Sequence, residues 1–485
     1  MRPGGVKLRC GPGAMHRNVV LCRWGADNPR LLGVRVPQNV AFHIACSVRV
    51  ESAMQKTKVG IIGLGTVGSG VARILLDHGD RTARHAGRTL WLEKAVVRDL
   101  KKARDCDLPA GVLTDKLDDV VCNPEITLVA QLMGGLEPAR TVMLRLLENG
   151  KDVVTANKAL LAEHGAELFD RARELGRSIA FEAAVAGGIP IIANISQCLS
   201  ANQITSLHGI LNGTSNYILS KMHEPGGGDY AAAVADAQRL GYAEADPTMD
   251  VDGSDAAQKL AILAHLAYGA RVHWKEIPRT GIDTVDPLDI RYAMEMGYRI
   301  KLLAVADLVG EKLDLEVSPA LVRAGSPLGE VSGPFNAIRV EGDCVGPLFF
   351  HGQGAGQMPT ASAVAADLID TAVGRTAITF RTLELWSQRE ALVTPADHSE
   401  SEARFYLRAM VDDHPGVLAQ VTAALGNENV SIASVLQKEP LAKGQPVPLV
   451  VMTHETTEGA AARATAAIDK LPACHGSTVR MWVRD

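Results

Sequence analysis

Asp255 and Lys259 stand four residues apart, and a helix beginning near Ser254 would set both on one face. Glu244 and Asp250 lie on the loop that would feed that helix. A lysine in such a group can move a proton to or from a hydroxyl, but only if its pKa is drawn toward neutrality. Burial draws it down, and neighbouring carboxylates oppose the fall. Taken alone, an Asp-Lys spacing of four is ordinarily a surface ion pair, so the surroundings must decide. A calcium loop can be set aside. Asp250, Asp252 and Gly253 would fall at positions 3, 5 and 6 of such a loop, which puts Thr248 at position 1 and Lys259 at position 12, where carboxylates are required.

A second group is the run Gly63-Leu64-Gly65-Thr66-Val67-Gly68, which fits GxGxxG between a short apolar strand and a helix with Val71, Ile74 and Leu75 on one face. In that setting the first glycine makes a tight turn, the second lets the backbone approach a pyrophosphate, and the third lets helix and strand pack closely. Dinucleotide binding is the expectation. NAD-preferring sites usually place an acid at the end of the second strand. Here LWLEKAVV (90–97) runs into Arg98-Asp99-Leu100-Lys101-Lys102, so NADP is expected through Arg98, with Asp99 keeping NAD open and a solvated basic turn as the plainer reading.

Lys158 follows the strand KDVVTA, with Asn157 placed to cap the next helix. A cation at the C-terminal edge of a parallel sheet sits where cofactor and substrate meet. A post-strand lysine is nonetheless exposed more often than not.

The elements that must position these residues alternate. Strands at 90–97, 126–133 and 151–156 are separated or followed by helix-like EPARTVMLRLLENG and NKALLAEHGAELFDRARELG. That alternation predicts an α/β architecture: a Rossmann-type doubly wound parallel sheet. An α+β catalytic domain follows, with a helix after Gly187-Gly188-Ile189-Pro190, another from about Asp255 to Tyr268, and strand-like IKLLAVADLV and KLDLEVSPALV. After the polar stretch TPADHSESEA, a strand-helix-strand pattern occurs twice, as in a ferredoxin-like module. The expected boundaries are an irregular extension at 1–55, a dinucleotide-binding domain at 56–185 completed by about 351–372, a catalytic, substrate and dimerisation domain at 186–350, a linker at 373–403, and a regulatory module at 404–485.

The first 55 residues hold seven arginines and Lys7 against only Asp27 and Glu51, without helical or strand periodicity. A transit peptide would share that charge but also be rich in serine. The reading preferred here is a mis-assigned start, with Met54 as initiator. Over the whole chain a net charge of −5 and no long basic stripe argue against nucleic acid as a partner. No apolar run reaches the roughly 18 residues of a membrane helix, since LAILAHLAYGA is short and carries a histidine, so no membrane span is expected. Eight cysteines without a CxxC pair argue against a disulfide framework and a structural zinc, and for a reducing, cytoplasmic setting.

Five separated segments occur in order: TANKA (155–159), FEAAVAGGIPII (181–192), GILNGTSNYILSKM (209–222), LGYAEADPTMDVDGSDAAQKLAILA (240–264) and GQGAGQMPTASAVAADL (352–368). Together they resemble homoserine dehydrogenases, from about Lys58 to Asp370, and the last 80 or so residues resemble the ACT regulatory domain. The resemblance implies oxidation of L-homoserine to L-aspartate 4-semialdehyde, and the reverse, with NADP or NAD. It implies Lys259 as general acid/base, Lys158 in contact with cofactor and substrate as the second choice for proton transfer, Glu244 and Asp255 holding substrate, and Asp250 shaping the site. Glu182 with the carbonyls of Val185, Gly187 and Ile189 matches the family's monovalent cation site, usually sodium. Gly241 matches a glycine near the substrate and is a further candidate for the cation set, and Gly356 matches one near the cofactor.

One departure is Gln131, where the family leads one to expect an acid, and an altered contact at the cofactor edge is the expectation. The resemblance further implies a homodimer or homotetramer, with ACT modules pairing edge to edge. It implies L-threonine as effector, near Gly416 at the turn before the module's first helix. A different amino-acid dehydrogenase would share the glycine loop but lack the GYAEADP segment and Lys259. A non-catalytic amino-acid or dinucleotide sensor would have no use for Lys158, Glu244, Asp255 and Lys259.

Overall fold

The structure is a computed structural model that describes residues 55–224, 226, 228–383, 393–439 and 445–484. The expected N-terminal extension lies outside the described residues apart from Gln55, as does the 384–392 part of the expected linker.

The first part alternates as its sequence predicts. β1 (Lys56–Ile62) enters the glycine turn and α1 (Thr66–Asp77), and α2 (Gly79–Ala86) leads to β2 (Thr89–Val96). β3 (Leu113–Thr114), α3 (Asp118–Val121), β4 (Ile126–Gln131), α4 (Ala139–Glu148), β5 (Asp152–Thr155), α5 (Lys158–Glu174) and β6 (Ile179–Ala180) follow. The six strands pair in parallel in the order β3-β2-β1-β4-β5-β6. Val59, Ile61, Val129 and Val153 have no exposed surface, as expected of a sheet covered on both faces. The strand order turns back between β1 and β4, and ligands of such sheets bind in the crevice beyond the carboxyl ends at that point.

The middle part supplies α6 (Ile191–Ala193), β7 (Ile204–Ile210), α7 (Gly213–Met222), α8 (Tyr230–Arg239), α9 (Thr248–Val251), α10 (Ser254–Tyr268) and α11 (Pro287–Glu295). Four long strands then run antiparallel: β8 (Tyr298–Val309), β9 (Lys312–Arg323), β10 (Phe335–Gly342) and β11 (Gly346–Gln353). With β7 they form a sheet in the order β11-β10-β7-β8-β9. Every residue of α10 except Ala267 is buried, so this helix carries its polar residues into the interior. α12 (Gln357–Ala372) returns to the first sheet. A Cβ on Gly70 of α1 would lie 2.9 Å from Ala361 Cβ, so the two helices touch through small residues. α13 (Arg375–Leu383) ends this part.

β12 (Thr394–Pro395) leads into the C-terminal module: β13 (Glu402–Val411), α14 (Val417–Asn427), β14 (Ile432–Gln437), β15 (Val447–Thr453), β16 (Thr456–Thr457), α15 (Glu458–Ile468) and β17 (Val479–Arg484). Its order β17-β13-β15-β14 is ferredoxin-like. β17 also pairs in parallel with β9, matching Trp482 with Ala320 and Arg484 with Val322, so module and middle part share one 11-stranded sheet. Of the module's two edges, β17 is thus taken by β9 within the same chain. Edge-to-edge pairing with another copy, as the sequence leads one to expect, has β14 left to use.

Candidate active site

The helix read from sequence begins where expected, and Asp255 and Lys259 meet on its inward face. Lys259 Nζ donates to Asp255 Oδ2 at 2.7 Å and to the Leu211 carbonyl at 2.6 Å. Lys158, on the first residue of α5, places Nζ 3.0 Å from the other oxygen, Asp255 Oδ1. Asn157 caps α5, its Oδ1 accepting from Leu160 N at 3.1 Å, and so fixes where that lysine starts. Two lysines from separate parts of the fold therefore share one carboxylate.

Sequence reasoning did not assign Asn212. Its side chain caps α7, accepting from Ser215 N at 2.7 Å, while Nδ2 donates to Asp250 Oδ1 at 2.7 Å and to Asp255 Oδ2 at 2.8 Å. It thereby holds both carboxylates in one orientation. The signal was present in GILNGTSNYILSKM as Asn-Gly-Thr-Ser, an N-cap pattern. Asn336 Nδ2 donates to the Leu211 carbonyl at 2.9 Å, fixing the oxygen that receives Lys259. Glu244 stands apart, exposed on the loop after α8 and within electrostatic reach of Lys158.

The charges separate the two lysines. Burial drives the Lys259 ammonium down; Asp255 pulls it back up, and Lys158 adds to the fall. Lys158 goes the other way, raised by Asp255 against the cost of burial. Burial opposes the charge of Asp255, but Lys259 and Lys158 outweigh it and hold the carboxyl well below its ordinary range. Asp250 is raised by burial, against the pull of its bond from Asn212. The arrangement can keep a charged lysine beside one able to lose its proton.

At the carboxyl end of β1 lies a cavity of about 770 Å³, lined by Gly63, Leu64, Gly65, Thr66, Arg98 and Gln357 among others. Gly63 has φ +98°, and a Cβ there would stand 2.8 Å from the Leu132 carbonyl. A Cβ on Gly68 would come within 2.1 Å of the Gly63 carbonyl, whereas one on Gly65 would meet nothing within 4 Å. The turn and the close packing are thus where the glycine pattern puts them, and the middle glycine opens on space for a ligand. Val67, partly buried, packs below against the sheet core. These residues fit a dinucleotide. Arg98 is exposed at the cavity wall with Lys102, beside Asp99, Asp105 and Asp115, while Arg104 there donates to the Asp99 and Lys102 carbonyls. Gly356, at φ 125°, precedes α12 and brings Gln357 to the same cavity.

The turn Val185–Ile189, buried except at Gly188, has two successive residues at positive φ, Ala186 at 51° and Gly187 at 22°. Such a curl can gather carbonyls of Val185, Gly187 and Ile189 for a hard cation. The Glu182 carboxylate is engaged elsewhere, accepting from Ile192 N at 2.9 Å and Ala193 N at 2.8 Å, so its side chain serves the α6 entry. Gly241 ends α8 in a left-handed turn, leading to the Glu244 loop. Gly416 caps α14 at φ 95°, with open space where a Cβ would be.

Gln131 corrects an expectation. It is fully buried, donating to the Ala139 carbonyl at 3.2 Å and accepting from Thr155 Oγ1 at 3.1 Å. It ties β4 to β5 and α4 beneath the site and does not reach the cofactor edge.

Family models match along most of the described chain. One described as the NAD binding domain of homoserine dehydrogenase matches residues 63–182, one described as homoserine dehydrogenase matches 190–369, and the ACT domain matches 405–473. A Pseudomonas aeruginosa protein named homoserine dehydrogenase is 44% identical over 436 residues, covering 89% of this chain and 99% of that protein. One of the same name from Neisseria gonorrhoeae is 41% identical over 426 residues, covering 86% and 96%. Among solved structures, a homoserine dehydrogenase from Thiobacillus denitrificans has a TM-score of 0.83 and 42% identity, covering 89% of this chain and 99% of that one. A hyperthermophilic archaeal homoserine dehydrogenase in complex with NADPH has a TM-score of 0.54 and 27% identity, covering 65% and 97%.

Proposed function

The chain belongs to the homoserine dehydrogenase family, NAD(P)-dependent oxidoreductases acting between L-homoserine and L-aspartate 4-semialdehyde, and from that premise we propose how its own residues divide the work. The observation that carries the proposal is the single carboxylate of Asp255 shared by Lys259 and Lys158.

A neutral lysine amine has two N–H donors and one lone pair. In Lys259 the Leu211 carbonyl and Asp255 take the donors, leaving the lone pair to accept the proton of the substrate hydroxyl. When bound, the nicotinamide takes up or gives back the hydride. Lys158 stays charged and holds the substrate oxygen and the cofactor edge. Asp255 and Glu244 receive the substrate's ammonium, and Asp250 sets the shape of that end through Asn212.

The preferred cofactor is NADP, on exposed Arg98 and Lys102 at the cavity wall, and the NADPH complex of the archaeal relative supports the same choice. A sodium or other monovalent cation is held by the Val185–Ile189 turn. The protein works in the cytoplasm as a homodimer or homotetramer, a setting that its cysteine usage suits; no helix among the described residues is long and apolar enough to cross a membrane. L-threonine is the inhibitor, acting on the C-terminal module near Gly416.

The test is a steady-state assay of NADP⁺ and NAD⁺ reduction with L-homoserine. Lys259→Ala should lose on the order of 10²–10⁴ in kcat, the ordinary contribution of a general base, while cofactor affinity measured by fluorescence stays the same. Near-full turnover in Lys259→Ala would refute the assignment. Addition of L-threonine to the same assay should slow the full-length protein.

A further inference from the structure

Where β9 and β17 meet, their alternation brings charge to one face. Asp314, Glu316 and Ser318 alternate with Leu315 and Val317 on β9, while Arg480, Trp482 and Arg484 alternate with Met481 and Val483 on β17. The register that matches Trp482 with Ala320 turns both polar rows to the same side. His398 lies over Trp482, ring centroids 5.5 Å apart, and Glu458 at the start of α15 closes the space from the module. Between them is a cavity of about 500 Å³, within the range of small-molecule sites.

Its polar groups are incompletely matched. Glu458 is 8% exposed; Oε1 accepts from Arg480 Nη2 at 2.5 Å, and the buried Oε2 has no hydrogen-bond partner. Glu316 is 5% exposed, bonded by Ser318 and 3.9 Å from Arg484, whose Nε and Nη2 have no hydrogen-bond partner. Burial pushes its carboxyl up to about 7. A buried acceptor without a donor is costly, and at Glu458 Oε2 neither Arg480 nor the nearby His398 supplies a hydrogen bond, so a ligand's donor would complete it. A metal ion does not fit, since no group of three or more His, Cys, Asp or Glu among the described residues is arranged to hold one. An ammonium, with three donors, does fit. Arg480, partly exposed beside it, suits an anion on the same molecule, and Trp482, Pro319 and Val285 offer apolar wall.

We propose that this seam cavity binds a small α-amino acid as a zwitterion, its ammonium on Glu458 and Glu316 and its carboxylate on Arg480. The site is separate from the Gly416 turn, and it deepens the regulatory reading of the C-terminal module, on which it rests. The strand that offers Glu316 to the cavity also bears on the catalytic helix. A Cβ on Gly253, the residue before α10, would lie 3.2 Å from Val317 and 3.7 Å from the Thr280 carbonyl, and Thr280 lines the cavity. Asp255 follows two residues later. An amino acid clasped by both halves thus adjoins Thr280 and β9, which pack beside the turn before Asp255, and any difference in its affinity between arrangements of that segment becomes regulation.

Calorimetry on the full chain with L-threonine, L-isoleucine and L-methionine tests this. At least one should bind saturably, and its N-acetyl derivative, which lacks the ammonium, should not. Glu458→Gln should weaken binding tenfold or more. Ser477→Trp should do the same by filling the mouth from an exposed rim position, without removing a charge or a buried contact, and so decides the matter if Glu458→Gln does not fold. The proposal is overturned if none of the three binds, or if Ser477→Trp or a folded Glu458→Gln keeps affinity within twofold of wild type, including the case in which Gly416→Val removes binding instead. The readout is independent of turnover, so loss of the dehydrogenase reading and loss of this one are told apart.

Discussion

Arg408, on the first long strand of the C-terminal module, forks its guanidinium onto the fully buried carboxylate of Asp289 on α11, with Nε to Oδ1 at 2.5 Å and Nη2 to Oδ2 at 2.9 Å. Tyr406 adds a bond to the same carboxylate at 2.8 Å. Removing one partner strands the other charge in the interior, which costs about 3–5 kcal/mol in such settings. Arg408→Met should therefore lower the unfolding free energy by that amount in urea. The double replacement Asp289→Leu/Arg408→Leu should lose much less, because no charge is left behind. Equal losses in single and double variants would show that the pair contributes only packing.

The lowered pKa of Lys259 sets a direction for the pH profile. Oxidation needs the neutral amine, so kcat for L-homoserine should rise with pH as the ammonium gives up its proton, and level off below the ordinary lysine value of 10.5. Reduction of the aldehyde needs the ammonium and should fall across the same interval. A profile for oxidation that keeps rising beyond the ordinary lysine value would place the proton on another group.

Cofactor choice is read through Arg98. Arg98→Ala should weaken NADP(H) binding by about 1.5–3 kcal/mol, as for loss of a charge-assisted bond, with little change for NAD(H). Lys102→Ala should show the same sign with a smaller loss. Equal losses for both cofactors in a fluorescence titration would remove Arg98 from the 2′-phosphate.

Asn212 is a positioning residue, and its effect should pass through the two carboxylates it spans. Asn212→Ala should lower kcat/KM for L-homoserine by about 1.5–3 kcal/mol and displace the pH profile, because Asp255 loses one of the donors that hold its charge. Cofactor affinity should stay as it was. An unchanged pH profile would mean that Asn212 serves only the α7 cap.

What could be read from sequence follows the distance between the residues concerned. The glycine turn and the Asp255-Lys259 pair are local, each set by one turn or one helix, and both were legible. Asn212 was not, because its partners lie about 40 residues further on and its cap pattern carries a complete local explanation. Gln131 misled because the pattern does not tell a buried amide tie from a ligand contact. The seam of β9 and β17 joins residues more than 150 apart, and no periodicity within either strand announces its neighbour. Strand β11 was missed for a plainer reason: it alternates half-exposed and exposed, without the apolar face that marks a strand.

Strands β9 and β17 make the two halves a single plate. A slip of one residue between them would turn Trp482 and Arg484 to the opposite face, so the halves cannot slide past each other, and they do not hang from a tether. Proteolytic nicking of the 394–403 stretch would leave them bonded through the ladder, while genetic removal of the module would bare β9 as a long sticky edge. What remains open to the plate is torsion. A ligand that favoured one arrangement of the halves would therefore have to act through the twist of the sheet beneath α10.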